Sequence, residues 1–193
     1  MSEQEQIQKA QAGDLAAYEL LIAAYESKIL NYCYRMLGNR ADAEDAAQEV
    51  FVKVFRFIKS FNGESSFSTW LYRIASNVCM DIVRKAKRRQ QETMSLHQQN
   101  SEGEEFYLSL SDDGPSPYEK AQLREARKAL EKALLDLPEE HRQVIILRDV
   151  EGRSYEEIAD VLHLAPGTVK SRINRARKAL QKLLEPDREL FLL

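Results

Sequence analysis

Long apolar runs are missing from this chain. The longest uninterrupted one covers residues 20–25, against the roughly 20 residues that a bilayer-spanning helix needs, so no direct membrane insertion is expected. The N-terminus, MSEQEQIQKAQAGD, is polar from the start and lacks the apolar core of a secretory signal; the expected location is the cytoplasm. Cysteine is scarce. Cys33 and Cys79 lie outside any CxxC, each within an apolar helical pattern, and are expected as buried reduced thiols, not as a disulfide or a metal site. His97, His141 and His163 form no ligand cluster. No nucleophile stands with a base, and no glycine-rich phosphate loop occurs, so no catalytic residue, metal or cofactor is expected, and the chain does not read as an enzyme. Strict apolar alternation is absent too, which removes the case for strands and makes the expected fold all-α.

A positive surplus is also lacking. The net charge is -3, with 28 basic and 31 acidic residues, whereas a protein that binds nucleic acid unaided usually carries excess positive charge. The distribution matters more than the total. Residues 90–117 hold six carboxylates (Glu92, Glu102, Glu104, Glu105, Asp112 and Asp113) and no Lys or Arg, so the rest of the chain carries a small positive balance. That balance is clustered. Five of the six residues 84–89 are basic, and a second cluster follows near the C-terminus.

What is present is a helical period interrupted once. Residues 90–117 lack periodicity and end in Asp113-Gly114-Pro115-Ser116-Pro117, a breaker sequence. They read as a flexible acidic linker, with Phe106, Tyr107, Leu108 and Leu110 available to dock on a domain or a partner. The expected architecture is two small helical domains, residues 1–89 and 118–193. In the first, apolar spacing predicts helices over 15–37, 40–58 and 67–84; in the second, over 118–136 and 139–150. The C-terminal tail ends apolar and is read as capping the last helix or contacting a partner.

Residues 152–180, GRSYEEIADVLHLAPGTVKSRINRARKAL, read as two short helices around a Pro-Gly turn, a helix-turn-helix that points to duplex DNA. The first has an apolar face at Ile158, Ala159, Val161 and Leu162 and an acidic one at Glu156, Glu157 and Asp160, which suits support, not base reading. The second buries Val169, Ile173, Ala176, Leu180 and Leu183. Its other face carries Lys170, Arg172, Arg175, Arg177, Lys178 and Lys182 with no acid, a set suited to phosphates and guanine edges. Residues 60–89 mix Phe61, Phe67, Trp70 and Tyr72 with Arg73, Asn77, Arg84 and Lys85. Flat rings beside amide and guanidinium groups suit unpaired bases, although Phe67 and Trp70 also have the spacing of core aromatics.

Three segments, DAEDAAQEVFVKVF, FSTWLYRIASN and LPEEHRQVIILRDVEGRSYEEIADVLHLAPGTVKSRINRARKAL, taken in this order, resemble the extracytoplasmic-function sigma factors of the sigma-70 superfamily. The resemblance covers nearly the whole chain and implies a dissociable subunit that directs core RNA polymerase to promoters and promotes strand opening. It assigns Asp45, Gln48, Glu49 and Lys53 to core-polymerase binding. It assigns Asn62, Ser66, Trp70, Asn77, Asp81 and Arg84 to the single-stranded minus 10 element. Lys170, Ser171, Arg172, Asn174, Arg175 and Lys178 fall at positions that read the duplex minus 35 element. It also implies control by an anti-sigma factor. The competing reading is a conventional helix-turn-helix regulator that acts without being a polymerase subunit.

Overall fold

The computed structural model describes the backbone of residues 1–93 and 117–191, and the side chains of residues 1–89 and 122–191. Residues 94–116 of the expected linker, Phe106, Tyr107, Leu108 and Leu110 among them, and the last two residues lie outside the described residues. Among the described residues every regular element is helical, as the sequence pattern requires.

The N-terminal unit begins with a helix that the spacing does not announce, α1 (Glu3–Gln11). A capping box starts it: the Ser2 hydroxyl accepts from the Glu5 amide, and the Glu5 carboxylate accepts from the Ser2 amide at 2.9 Å. Ile7 and Ala10 then bury its inner face. The helix expected over residues 15–37 is divided in two, α2 (Leu15–Ala23) and α3 (Glu26–Leu37). The break falls where the Tyr25 amide bonds to the Ile22 carbonyl, a tighter turn than the α-helical one. Tyr25 is thereby turned inward, its ring edge-on to Phe67 at 5.6 Å and its hydroxyl donating to the Glu3 carboxylate. Tertiary contacts override a continuous helical period here.

Gly38 ends α3 at φ 74°, and a Cβ built there would lie 2.5 Å from Leu135 Cδ1. Both the left-handed turn and the approach of the C-terminal unit favour glycine. α4 (Arg40–Phe57) starts at Asn39, whose side chain caps the Asp42 amide at 3.2 Å. Its buried face is dominated by Ala43, Ala46, Ala47, Val50 and Val54, small residues that let α3 and α5 approach closely. One 3₁₀ turn, Ile58–Ser60, leads to a loop and then to α5 (Phe67–Thr93), longer than the expected 67–84.

The C-terminal unit comprises α6 (Pro117–Asp136), α7 (Glu139–Ile145), α8 (Tyr155–Leu162) and α9 (Pro166–Leu184). Pro138 separates α6 from α7. After α7 the chain widens into a π turn, Ile146–Val150, where the Glu151 amide reaches the Ile146 carbonyl. Ser154 and Glu157 form a capping box on α8, and His163 closes that helix in the left-handed region, φ 52°. Pro166 occupies the first turn of α9. The turn chemistry expected of a helix-turn-helix is realised. One core position differs: Leu183 is exposed, because α9 outruns the helices that cover Val169, Ile173 and Ala176. The tail continues as 3₁₀ turns, Glu185–Phe191.

The two units do not stand apart. A single apolar core runs from Ile7 through Leu71 and Tyr72 into Leu147, Ile158 and Ala176, so the two domains expected from the sequence are packed face to face. Cys33 and Cys79 are both free and fully buried within it.

Candidate nucleic-acid interface

Three surfaces carry the residues singled out by sequence. On α4, Asp45, Gln48 and Glu49 are exposed and Lys53 is half-buried, its ammonium 2.8 Å from Glu49 one turn earlier. Val52 and Phe55 lie exposed among them, with Phe55 edge-on to Tyr18 at 5.1 Å. Together they leave an apolar strip among the charges of this face.

The second surface is a cleft of about 270 Å³ lined by Phe61, Asn62, Glu64, Ser65, Trp70, Arg73 and Asp160. Its size falls just below the ~300–1,000 Å³ of pockets for drug-sized ligands, which suits one flat ring system. The loop before α5 builds it. Asn62 accepts from the Glu64 amide at 3.2 Å, and Gly63 turns the chain at φ 77°. Phe61, Phe67 and Trp70 form a cluster with centroids 5.4–5.8 Å apart. The roles within it divide. Phe67 is buried and holds the cluster to the core, whereas Trp70 is half-buried and faces the cleft. Gln11 of α1 reaches across to donate to the Ile58 and Phe61 carbonyls at 3.0 and 2.7 Å, fixing the backbone of the aromatic wall.

Ser66 lies at the rim, but its side chain is engaged in starting α5. The hydroxyl accepts from the Thr69 amide at 3.1 Å and meets the Thr69 hydroxyl at 2.8 Å. Asn77, Asp81 and Arg84 are exposed on α5 at the helical spacing that aligns them with Trp70. Arg84 and Asp81 form a loose pair at 4.0 Å. One stripe, continued by the exposed cation Arg88 with Lys85 and Arg89 exposed to one side of it, therefore runs from the cleft along the helix.

On the third surface, Lys170, Ser171, Asn174, Arg175 and Lys178 all lie exposed on α9. Ser171 donates to the Thr168 carbonyl at 3.0 Å. Arg172 is placed differently from its neighbours: its side chain is 19% exposed and its guanidinium sits 3.0 Å from the Glu140 carboxylate of α7. Arg177 is likewise drawn aside, bonded through two nitrogens to Asp149, which raises its already high pKa. Sequence reasoning did not single out Gln11. Gln11 is 47 and 50 positions from its partners, a relation that no local pattern reveals. Arg73 was signalled by its place one turn after Trp70.

Comparison with known proteins gives the family of the chain. Residues 21–89 match Sigma-70 region 2 and residues 127–180 match Sigma-70, region 4. The chain is 38% identical over 178 residues to the ECF RNA polymerase sigma factor SigW of Bacillus subtilis, covering 92% of this chain and 94% of that protein. It is 38% identical over 188 residues to the RNA polymerase sigma-H factor of Pseudomonas aeruginosa, covering 95% and 94%. A solved structure of CnrH in complex with the cytosolic domain of CnrY matches with a TM-score of 0.67 and 27% identity, over 96% of this chain and 98% of that one. With both regions present in order and full-length relatives at this identity, the chain belongs to the sigma-70 family, in its extracytoplasmic-function branch.

Proposed function

We propose that the protein works in the cytoplasm as a promoter-recognition subunit of RNA polymerase, with core binding on α4, single-strand capture at the Trp70 cleft, and minus 35 reading on α9. The observation that carries this reading is the pairing of two unlike DNA surfaces on one chain. A lone duplex reader has no use for an aromatic cleft, and a single-strand binder has no use for the α9 face.

The work is binding, with no covalent step. On α9, Lys170, Ser171, Asn174, Arg175 and Lys178 offer donors toward a major groove, and Arg172 joins them once freed from Glu140. At the cleft, a base extruded from the duplex stacks on Trp70 while the Asn62 loop and Asn77 meet its edges. Extrusion costs a few kcal/mol, and stacking on an aromatic side chain returns about 1–3 kcal/mol per base. Capture thus shifts the duplex toward the open form without fuel. Asp45, Gln48, Glu49 and Lys53 contact the core enzyme beside Val52 and Phe55. The near-neutral net charge fits a protein whose two weak DNA contacts are combined by the polymerase. An anti-sigma factor is the expected regulator: the similar sigma factor RpoE of Bartonella quintana was solved in complex with the anti-sigma factor NepR.

The test is transcription in vitro from a pool of genomic fragments, with core polymerase and start sites sequenced. The expected result is a set of start sites absent without the protein and sharing two upstream motifs. Binding of free protein to its own operator at nanomolar concentration, with no effect on core polymerase, would sink the reading.

A further inference from the structure

We infer that α1 is a brace for the minus 10 cleft: Glu3 and Gln11, at its two ends, hold the aromatic wall, so that a helix outside the cleft sets how well a base stacks on Trp70. The inference rests on the function proposed above and deepens it.

α1 and the greater part of α2 precede residues 21–89, the stretch that matches Sigma-70 region 2. By apolar burial α1 is lightly tied to the core, through Ile7 and Ala10. Its side-chain hydrogen bonds to distant residues lead instead to the wall. At the C-terminal end, the amide nitrogen of Gln11 carries two hydrogens and meets two carbonyls, those of Ile58 at 3.0 Å and Phe61 at 2.7 Å. The Ile58 carbonyl also accepts from the Phe61 amide at 3.1 Å, so Gln11 ties both ends of that turn to α1. Phe61 then sets its ring 5.4 Å from Trp70 and 5.7 Å from Phe67. At the N-terminal end, the Glu3 carboxylate accepts from the Tyr25 hydroxyl, and the Tyr25 ring meets Phe67 edge-on at 5.6 Å. Phe67 in turn lies 5.8 Å from Trp70. Two routes, one through Phe61 and one through Tyr25 and Phe67, thus run from α1 to the same indole.

The two anchor residues are about 12 Å apart along the helix, at ~1.5 Å per residue, a span that fixes the tilt of the ring cluster as well as its position. Tyr25 and Phe67 are buried, whereas Phe61 and Trp70 are half-buried. The half of the cluster that a base meets is therefore the half that packing holds least and that Gln11 holds directly. A wall that must be ordered as the base arrives loses part of the stacking energy to that ordering, and a wall already held does not. Neither Gln11 nor Glu3 lines the cleft; both act through the rings, as positioning residues.

The test uses Trp70, the one tryptophan of the chain, as reporter in the full-length protein and in four variants: Gln11→Leu, Tyr25→Phe, Glu3→Ala and Glu3→Gln. Each is first checked for wild-type helix content. In the DNA-free protein, acrylamide is expected to quench Trp70 more strongly in Gln11→Leu, Tyr25→Phe and Glu3→Ala than in the wild type. Glu3→Gln, whose amide oxygen still accepts from the Tyr25 hydroxyl, should keep the wild-type value. In the holoenzyme, permanganate footprints should show opening reduced about 5–10-fold by Gln11→Leu and roughly 3-fold by Tyr25→Phe, for the loss of two hydrogen bonds and of one, with affinity for core polymerase unchanged. Unchanged quenching or unchanged opening in the folded Gln11→Leu and Tyr25→Phe variants overturns the brace, and so does a Glu3→Gln variant that behaves as Glu3→Ala does. If the wild-type holoenzyme yields no new start sites, the proposed function fails, while quenching in the DNA-free protein still reports whether α1 holds the wall.

Discussion

The Arg142 guanidinium of α7 donates to the Met36 carbonyl at the end of α3, a hydrogen bond across 106 positions that joins the two units. Its remaining nitrogens bond to the Leu134, Leu135 and Leu137 carbonyls. One side chain thus satisfies the C-terminal ends of two helices, where unpaired carbonyls and the helix dipole attract a cation. Burial lowers the pKa of Arg142 from its ordinary value, but such a group stays charged at any physiological pH.

Replacing Arg142 with alanine leaves buried carbonyls without a donor. The expected loss is about 3 kcal/mol of unfolding free energy in urea titrations. Arg142→Lys recovers only part of it, since one ammonium does not span the same fork.

Phe67 and Trp70 touch each other yet should fail in different ways. Phe67→Ala is expected to cost about 3–5 kcal/mol of stability, because the ring is buried in the core. Trp70→Ala should cost much less by chemical denaturation while reducing strand opening about tenfold in permanganate footprints, the loss of roughly one stacked base.

Gln11→Leu keeps the shape of the side chain and deletes its two bonds to the 58–61 turn. Opening should fall by about 5–10-fold, equivalent to ~1 kcal/mol or somewhat more, with unchanged affinity for core polymerase in fluorescence titration. Gln11→Glu should be worse, since a carboxylate faces two carbonyls.

Arg172 and Lys170 separate base reading from charge. Lys170→Ala should weaken minus 35 binding by about 1–3 kcal/mol at one or two base positions if it reads an edge, and evenly on all sequences if it meets phosphate. Glu140→Ala releases Arg172 from its pair and should tighten duplex binding, measured by anisotropy at two salt concentrations.

Alkaline pH should unfold the protein. Burial, foremost, pushes the Tyr18 hydroxyl up to about 12 and raises those of Tyr25, Tyr32 and Tyr72 well above the usual tyrosine range, with Glu3 and Glu151 adding to the rise at Tyr25 and Tyr72. A raised folded-state pKa means stability that is intact below the unfolded value near 10 and lost as pH climbs toward the folded one. For the fully buried Tyr32 and Tyr72 the expected slope is up to about 1.4 kcal/mol per pH unit each. Urea midpoints from pH 8 to 11, with tyrosinate absorbance at 295 nm, measure it.

Much of this was legible in the chain because it is written in local periods. The three-and-four spacing of Ala43, Ala47, Val50 and Val54 and the Ala165-Pro166-Gly167 turn each act within one or two turns of helix. The division of residues 15–37 was not legible, since Leu20, Leu21 and Ile22 continue the apolar period and only the seating of Tyr25 against Phe67 breaks it. α1 was missed for a related reason. With Ile7 as the one large apolar residue on its buried face, it depends on its cap and on the core beneath.

The site divides along the same line. Sequence alone determined that Trp70, Asn77, Asp81 and Arg84 share one helical stripe and that Lys170, Asn174, Arg175 and Lys178 share another, because a helix of 3.6 residues per turn permits nothing else. Only the tertiary structure decided that Ser66 spends its hydroxyl on a cap, that Arg172 turns to Glu140, and that Asp160 comes to stand beside Arg73. Those relations join residues distant in sequence through burial and charge, and such forces take effect only once the chain has brought the partners together.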